Sequence, residues 1–352
     1  MAISFFASTE TGAAARGRSY GAARRAAVRA NVDGYFALFT AAGGTPTAVQ
    51  TWAERALDRT AAWAPELAEE TAGVAAGAGL ETWQVAALNA RTEILAALSA
   101  TGRGECSTAV VTRGPSPHTI QTWDWHEHLH RAPVVWEFET HHTVRTFTEN
   151  GVLAKIGVNS AGLGIHFNLL RHTSDGSDIG VPVHVIARRI LGEATTLSEA
   201  VEIARSARTS ASTVITVVTA AEAASLEICP DGVGVVWPGA DGVLVHTNHF
   251  LDPALAEGER LGTEQPDTYA RLDHLRAQAD ALAHAADPTA RAAALLSHGP
   301  SAAPVCAHPD PDEPITERWE TLATICLDIS ASRLLVHQGR LCGVGPATWQ
   351  CF

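Results

Sequence analysis

The feature that most constrains the fold of this chain is a change in the periodicity of its apolar residues near position 106. Before that point, apolar and small residues recur every three to four positions, as between Ala22 and Phe39, which is typical of amphipathic helices. From Ser107 onward, β-branched residues form short runs separated by turn signals such as Glu149-Asn150-Gly151. The chain therefore predicts a helical segment followed by a segment dominated by strands.

We expect the first hundred residues to form a helical unit, with helices over 12–42, 46–60, 64–77 and 81–98. After residue 106, blocks of strands alternate with blocks of helices. The expected strands are 107–112, 118–125, 133–140, 143–148, 152–158, 163–168, 212–219, 224–229, 232–237, 243–247, 321–329, 332–337 and 346–351, and the expected helices are 181–191, 197–207 and the interrupted stretch 266–297. This order predicts an α+β layered fold, with two antiparallel sheets between helical layers.

Charge and hydropathy exclude several classes of function. The net charge is −13, and nearly all of the excess lies after residue 106, since residues 1–105 hold nine Arg against ten Asp and Glu. Such a chain lacks the basic face that a nucleic-acid partner requires. No apolar run is long enough to span a bilayer, and the first residues do not read as a signal peptide. We expect a cytoplasmic protein with no membrane partner, and a homo-oligomer remains open.

The six cysteines contain no C-x-x-C pair, so neither a zinc knuckle nor a dithiol redox site is indicated. We expect mostly reduced thiols, with Cys229, Cys326 and Cys342 acting as small buried hydrophobic residues. No cofactor and no metal are expected.

Cys106 differs from the other cysteines, because it occupies the first position of a strand after the polar loop 101–104. If the bond between Glu105 and Cys106 is cut, Cys106 carries both a nucleophilic sulfur and a free α-amine that can act as its base. The sequence thus indicates a candidate cleavage site at Glu105–Cys106.

Four separated motifs now occur in order along the chain. They are Cys106-Ser107-Thr108, Gln121-Thr122-Trp123-Asp124-Trp125, Lys155-Ile156-Gly157-Val158-Asn159-Ser160-Ala161-Gly162-Leu163 and Val245-His246-Thr247-Asn248-His249. Together they resemble the acyl-coenzyme A:6-aminopenicillanic acid acyltransferase family, a set of self-processing N-terminal-nucleophile amide hydrolases and acyltransferases. The resemblance implies a four-layer αββα fold preceded by a helical leader, with 1–105 as the small subunit after self-cleavage and 106–352 as the catalytic domain.

The resemblance also implies roles for single residues. Cys106 matches the nucleophile, Asp124 the acidic residue that orients the new α-amine, Asn248 the amide that stabilises the oxyanion, and Arg318 an arginine near the nucleophile. The family commonly has glycine before the nucleophile, where this chain has Glu105. The thiol attacks the preceding carbonyl in a tight loop, where glycine relieves strain. We therefore expect Glu105 to change the efficiency of cleavage, either by slowing it or by assisting it through its carboxylate.

The implied activity is chemistry on the amide bond of a small N-acyl compound, through an acyl-enzyme on Cys106. Hydrolysis and acyl transfer from a thioester donor to an amine acceptor both fit, because water and an amine compete for the same acyl-enzyme. A role in making or unmasking an acylated natural product is compatible with the family. We expect Trp125, His126 and Asn168 to line the substrate pocket, and the fragment 1–105 to stay bound as a partner.

Two alternatives come from other classes. His126, His128 and His130 alternate, so on a strand they would share one face, and a metal-dependent hydrolase could use that row. The metal ligand motif H-E-x-x-H is absent, however, because the spacing at His126-Glu127-His128 is wrong. The second alternative is a binding protein on the same fold that never cleaves itself.

Overall fold

Fourteen strands and twelve α-helices make up the computed structural model, which describes residues 3–99, 106–114, 116–129, 133–298, 303–315 and 317–352. The strands are β1 (Ser4–Ala7), β2 (Ser107–Val111), β3 (His118–His126), β4 (Val134–Glu139), β5 (Thr143–Thr148), β6 (Ile156–Asn159), β7 (Leu163–Leu169), β8 (Thr213–Thr219), β9 (Ala223–Cys229), β10 (Gly232–Val236), β11 (Val243–His246), β12 (Trp319–Asp328), β13 (Arg333–Gln338) and β14 (Gln350–Cys351). The helices are α1 (Ala13–Ala23), α2 (Arg25–Ala41), α3 (Pro46–Trp63), α4 (Pro65–Ala78), α5 (Thr82–Asn89), α6 (Arg91–Ala97), α7 (Val183–Glu193), α8 (Leu197–Ser206), α9 (Leu261–Glu264), α10 (Asp267–Ala277), α11 (Ala279–His284) and α12 (Pro288–Leu295). Within these ranges every helix is too short or too polar to span a bilayer.

The strands form two sheets that pack face to face. The larger sheet has the order β1-β4-β5-β6-β7-β8-β9-β10, and the smaller sheet has the order β11-β2-β3-β12-β13-β14. Only β1 and β4 pair in parallel among the described strands. Helices α7 and α8 cover the larger sheet, whereas α10 and α12 cover the smaller one. The expected four-layer αββα arrangement is confirmed.

The main differences from the predicted elements are local. The helix expected over 12–42 is broken at Arg24, whose ψ of 16° separates α1 from α2. The leader also contains β1, which pairs with β4 about 130 residues later, so the first hundred residues are not purely helical. A strand of four residues is too short to show a period, and its partner is distant in sequence, so the sequence alone did not reveal it. Thr196 and Glu199 form a capping box at the start of α8, as the order of these two residue types at this spacing predicts.

The helices of the leader pack against one another and against the rest of the chain. Within the leader, a Cβ on Gly21 of α1 would lie 2.1 Å from the Val74 carbonyl oxygen of α4, so glycine is required for this close approach. Tyr20 stacks on Trp136 of β4 with ring centroids 4.1 Å apart. Buried Glu70 of α4 accepts hydrogen bonds at 2.9 Å from guanidinium groups on α1 and α7. The leader therefore shares one hydrophobic core with both sheets.

Candidate active site

Cys106 immediately precedes β2, which is an internal strand of the smaller sheet. Ser107 pairs with Thr122 of β3, and this register brings Cys106 alongside the last residues of β3. The Cys106 side chain is 6% exposed, and its Sγ donates to the carbonyl oxygen of Asp124 at 3.8 Å. The structure therefore brings Cys106 and Asp124 together, as the sequence predicted.

The carbonyl oxygen of Cys106 is held by two side chains. Asn168 Nδ2 donates to it at 3.1 Å, and a guanidinium nitrogen of Arg271 donates at 3.1 Å. The same guanidinium nitrogen also donates to Ser107 Oγ and to Asn248 Oδ1, both at 3.2 Å. Because Arg271 is fully buried and lies on α10, it joins the helical layer to the start of β2.

The environment of the Cys106 thiol favours its protonated form. Burial, together with the carboxylate of Asp124, raises the pKa of the thiol to about 12, against the opposing charges of Lys155 and Arg271. Such a thiol is protonated at neutral pH. Its use as a nucleophile therefore requires a base within reach.

Asn248 follows β11 and is fully buried. Its Oδ1 accepts from two nitrogens of Arg271 at 3.2 Å each, and its Nδ2 donates to the Leu169 carbonyl oxygen at 2.9 Å. An amide nitrogen carries two hydrogens, so one remains beyond the bond to Leu169. Asn248 and Cys106 are thus held by one guanidinium.

Arg318 does not belong to this group, which corrects the expectation for that residue. Its guanidinium donates to the carbonyl oxygens of Glu313 and Pro311, at 2.9 and 2.7 Å, and lies 3.8 Å from Glu127. The register of β12 on β3 places Arg318 at the end of β3, several residues beyond the one that faces Cys106. The arginine beside the nucleophile is Arg271.

A cavity of about 580 Å³ lies next to the site. Trp125 and His126 line it, together with apolar residues of α2 and α6 and polar residues that include Arg171 and Asp175. Asn168, expected in the pocket, is not part of the cavity wall: it is fully buried, and its amide bonds Cys106, Thr108 and Gln121. Asn168 therefore supports the backbone of Cys106.

The predicted alternation of histidines along one strand is present only in part among the described residues. Strand β3 ends at His126, and His128 lies in the short 3-10 helix 127–129, but the two rings are adjacent, with centroids 5.5 Å apart. The His126 ring packs on Trp319 with centroids 4.5 Å apart. His130 lies outside the described residues, as does Glu105 of the predicted cleavage site. His126 and His128 supply two potential ligands, and the group of three or more potential metal ligands in the described part of the chain does not include them.

Sequence reasoning missed a buried group of charges behind β3. Lys155 Nζ lies 2.7 Å from Glu149 Oε2 and 3.7 Å from the centre of the Trp123 ring. Arg91 and Tyr35 bond the same carboxylate, each at 2.6 Å. Burial lowers the pKa of Lys155 to about 7. The available signal was the only lysine of the chain, set in the apolar run 152–156.

Comparison with known proteins assigns the chain to a family. The family model for acyl-coenzyme A:6-aminopenicillanic acid acyl-transferase matches residues 112–339. The chain belongs to this family. Family membership agrees with the motifs around Asp124 and Asn248, which lie inside the match, whereas Cys106 lies six residues before it.

A curated member of the acyltransferase family, the 40 kDa form of acyl-coenzyme A:6-aminopenicillanic-acid-acyltransferase from Emericella nidulans, is 32% identical over 222 residues. The alignment covers 60% of this chain and 60% of the fungal protein, so the chain spans less than two thirds of that relative's length.

Two solved structures are more distant. Penicillin V acylase from Agrobacterium tumefaciens has 15% identity and a TM-score of 0.46, covering 66% of this chain and 82% of its own. A mutant conjugated bile acid hydrolase from Clostridium perfringens has 12% identity and a TM-score of 0.49, covering 70% and 92%. Both scores are too low to carry an argument, and the architecture of this member of the acyltransferase family is established by its own sheets and helices.

Proposed function

We propose that this chain is a self-processing cysteine enzyme that hydrolyses, or transfers the acyl group of, the amide bond of a small N-acyl compound. The observation that carries the proposal is the placement of Cys106 at the start of β2, with its sulfur on the Asp124 carbonyl oxygen and its own carbonyl oxygen held by Arg271 and Asn168. Family membership supports acyl chemistry.

In the proposed cleavage, the Cys106 sulfur attacks the carbonyl carbon of Glu105, and the C–N bond between the two residues breaks. The acyl group then rests on sulfur as a thioester, and the Cys106 nitrogen takes up the proton that the thiol gives up and becomes a free amine. Water hydrolyses the thioester, which leaves a carboxylate on Glu105 and a thiol on Cys106.

The freed amine supplies the base that the thiol lacks. An α-amine has a pKa near 8, so a substantial fraction is neutral at physiological pH. The neutral amine can accept the proton of the Cys106 thiol, whose pKa is raised. The buried carboxylate of Asp124 is close enough to raise the pKa of the Cys106 thiol, and it would hold the protonated amine in place.

The acyl-transfer step then uses the same group. The thiolate attacks the substrate carbonyl, and the second hydrogen of Asn248 Nδ2 is available to the oxyanion. The leaving amine takes a proton from the α-ammonium, and water or an acceptor amine resolves the acyl-enzyme. Arg271 holds Asn248 in position through both hydrogen bonds to its Oδ1.

The cavity indicates the class of substrate. Its wall combines apolar residues, such as Leu38, Leu95 and Trp319, with charged residues, such as Arg171 and Asp175. The apolar residues suit an acyl group, and the charged residues suit a polar amine or thioester head. We propose that the substrate belongs to natural-product metabolism, since the fungal relative is an acyltransferase named for 6-aminopenicillanic acid.

The leader is proposed to remain as a noncovalent subunit after cleavage. Tyr20 stacks on Trp136, and Glu70 accepts a hydrogen bond from Arg188, so release of the leader would expose apolar surface that is now buried.

A panel of N-acyl amides tests the activity. The purified chain should release the free amine, and an added acceptor amine should divert part of the acyl group from hydrolysis. Cys106→Ala should abolish both reactions, whereas Cys229→Ala, at another buried cysteine, should retain them. Amine release that persists in Cys106→Ala would contradict the proposal.

A further inference from the structure

Four side chains outside the catalytic group form a compact set of nitrogen and sulfur ligands. They are His298, Cys306, His308 and Cys342. The four ligand atoms, one from each residue, all lie within 4.8 Å of one another. His298 follows α12, Cys306 and His308 precede β12, and Cys342 lies in the short 3-10 turn after β13. Three separate segments of the chain therefore converge on one point.

The distances within this set fit tetrahedral zinc. The Sγ atoms of Cys306 and Cys342 each lie 3.6 Å from His308 Nε2. With Zn–S of about 2.3 Å, Zn–N of about 2.05 Å and a tetrahedral angle, the S···N separation is also about 3.6 Å. The rings of His298 and His308 are adjacent, with centroids 5.1 Å apart. Two thiols and two imidazoles are the ligand set of many structural zinc sites.

We propose that His298, Cys306, His308 and Cys342 bind one Zn²⁺ ion as a structural site. Four protein ligands complete the tetrahedral shell and leave no open position for a substrate or an activated water. This set would therefore form a structural site, whereas the metal centre considered for His126 and His128 would be catalytic. The set takes no part in the proposed acyl chemistry.

The fold shows what such an ion would fasten. Ala307, between two of the ligands, donates its backbone N–H to Thr321 Oγ1 at 2.9 Å, and its carbonyl oxygen accepts from Thr321 N at 3.2 Å. Thr321 in turn pairs with Asp124 across β12 and β3. Zinc would therefore link the segment before β12 to α12 and to the turn after β13. The linked segment is itself bonded to β12, the strand that pairs with Asp124 of β3.

The sequence predicted no metal, because it contains no close cysteine pair and Cys342 was expected to be buried. The ligands are spread over 45 residues, and Cys342 is exposed. Only the fold brings them together, so a search for short motifs cannot find this set.

Metal content and cobalt spectroscopy on the purified full chain test the proposal. Elemental analysis should find one zinc per chain. After chelation, Co²⁺ alone should bind at one equivalent, with the visible bands of tetrahedral cobalt and a sulfur-to-cobalt charge-transfer band, and Zn²⁺ should displace it. Cys342→Ser and His298→Ala change exposed residues and should each weaken Co²⁺ binding by roughly 100-fold or more.

Two matched controls separate this site from other thiols. Cys351→Ser removes an exposed cysteine outside the set, and Cys106→Ala removes the proposed nucleophile; both should leave the cobalt spectrum unchanged. Zinc should raise the melting temperature of wild type but not of Cys342→Ser. A cobalt spectrum without sulfur ligation, unchanged binding in Cys342→Ser, or a Cys306–Cys342 disulfide in the protein as isolated would overturn the proposal.

Discussion

The guanidinium of Arg271 donates a hydrogen bond of 3.1 Å to the carbonyl oxygen of Cys106, across 165 residues of sequence. The same group also holds Asn248, so one buried charge fixes the proposed nucleophile and the proposed oxyanion donor relative to each other. This contact joins α10 of the outer helical layer to the first residue before β2.

Replacement of Arg271 should impair the reaction far more than replacement of Arg318. Arg271→Lys keeps the charge but loses the planar fork, so we expect self-cleavage and amide turnover to fall by roughly 100-fold, comparable to the loss of an oxyanion donor. Arg318→Lys alters a half-buried residue that bonds backbone carbonyls, and its rates should stay within about twofold of wild type. Rates of fragment formation and of amine release measure both variants. Equal losses in the two variants would reinstate Arg318 as the arginine of the site.

The carboxylate of Asp124 should set the acid side of the pH profile. A carboxylate stabilises the protonated α-amine and so raises its pKa; in Asp124→Asn that pKa falls, and the neutral amine persists to lower pH. The acid limb of kcat/KM should therefore move to lower pH, while the maximal rate falls by roughly 10²-fold or more because the amine is no longer oriented. Asp328→Asn, at a carboxylate that bonds Arg333, serves as the control. An acid limb that stays in place would show that Asp124 does not face the amine.

Glu149 should stabilise the fold through its two cationic partners. Glu149→Gln leaves Arg91 and Lys155 buried without a counter-charge, and we expect a loss of about 3–5 kcal/mol in the free energy of unfolding. Glu137→Gln, which breaks a partly exposed pair with Arg145, should cost about 1 kcal/mol or less. Urea denaturation measures both values. Similar losses in the two variants would contradict a special role for the buried group.

The same residue predicts a pH dependence. The pKa of Glu149 is lowered to about 2 by Arg91 and Lys155, against the effect of burial. A lowered carboxyl pKa means that the stabilisation is complete above the usual value of 4.5 and is lost as the pH falls toward 2. Wild type should therefore lose more stability between these pH values than Glu149→Gln does, as followed by unfolding at each pH.

The cavity should set the size of the acyl group. Ala96 lies in its wall, and Ala96→Trp places an indole in a space of about 580 Å³. We expect KM for long acyl chains to rise by about tenfold or more, while kcat for the shortest acyl group stays near wild type. Ala96→Ser, which barely changes volume, is the control. An unchanged preference among acyl chains would show that the acyl group binds elsewhere.

Much of the fold was predictable because its elements are long and strongly periodic. The strand pairs around β2 and β3 and the capping box of α8 follow from local patterns, and the group of Cys106, Asp124 and Asn248 follows from motifs. The role of Arg271 could not be predicted, because nothing in the sequence of α10 distinguishes this residue from a surface arginine. Only the packing of the helix on β2 does so. β1 is likewise defined by a distant partner and not by its own four residues.

Intact-mass analysis of the purified protein tests the central claim most directly. The account predicts two polypeptides, 1–105 and 106–352, that copurify under native conditions and separate on denaturation. Cys106→Ala should give one full-length chain, and Cys326→Ala, at a cysteine buried in β12, should give the same two fragments as wild type. A folded wild-type protein that remains one full-length species on prolonged storage would contradict Cys106 as an N-terminal nucleophile.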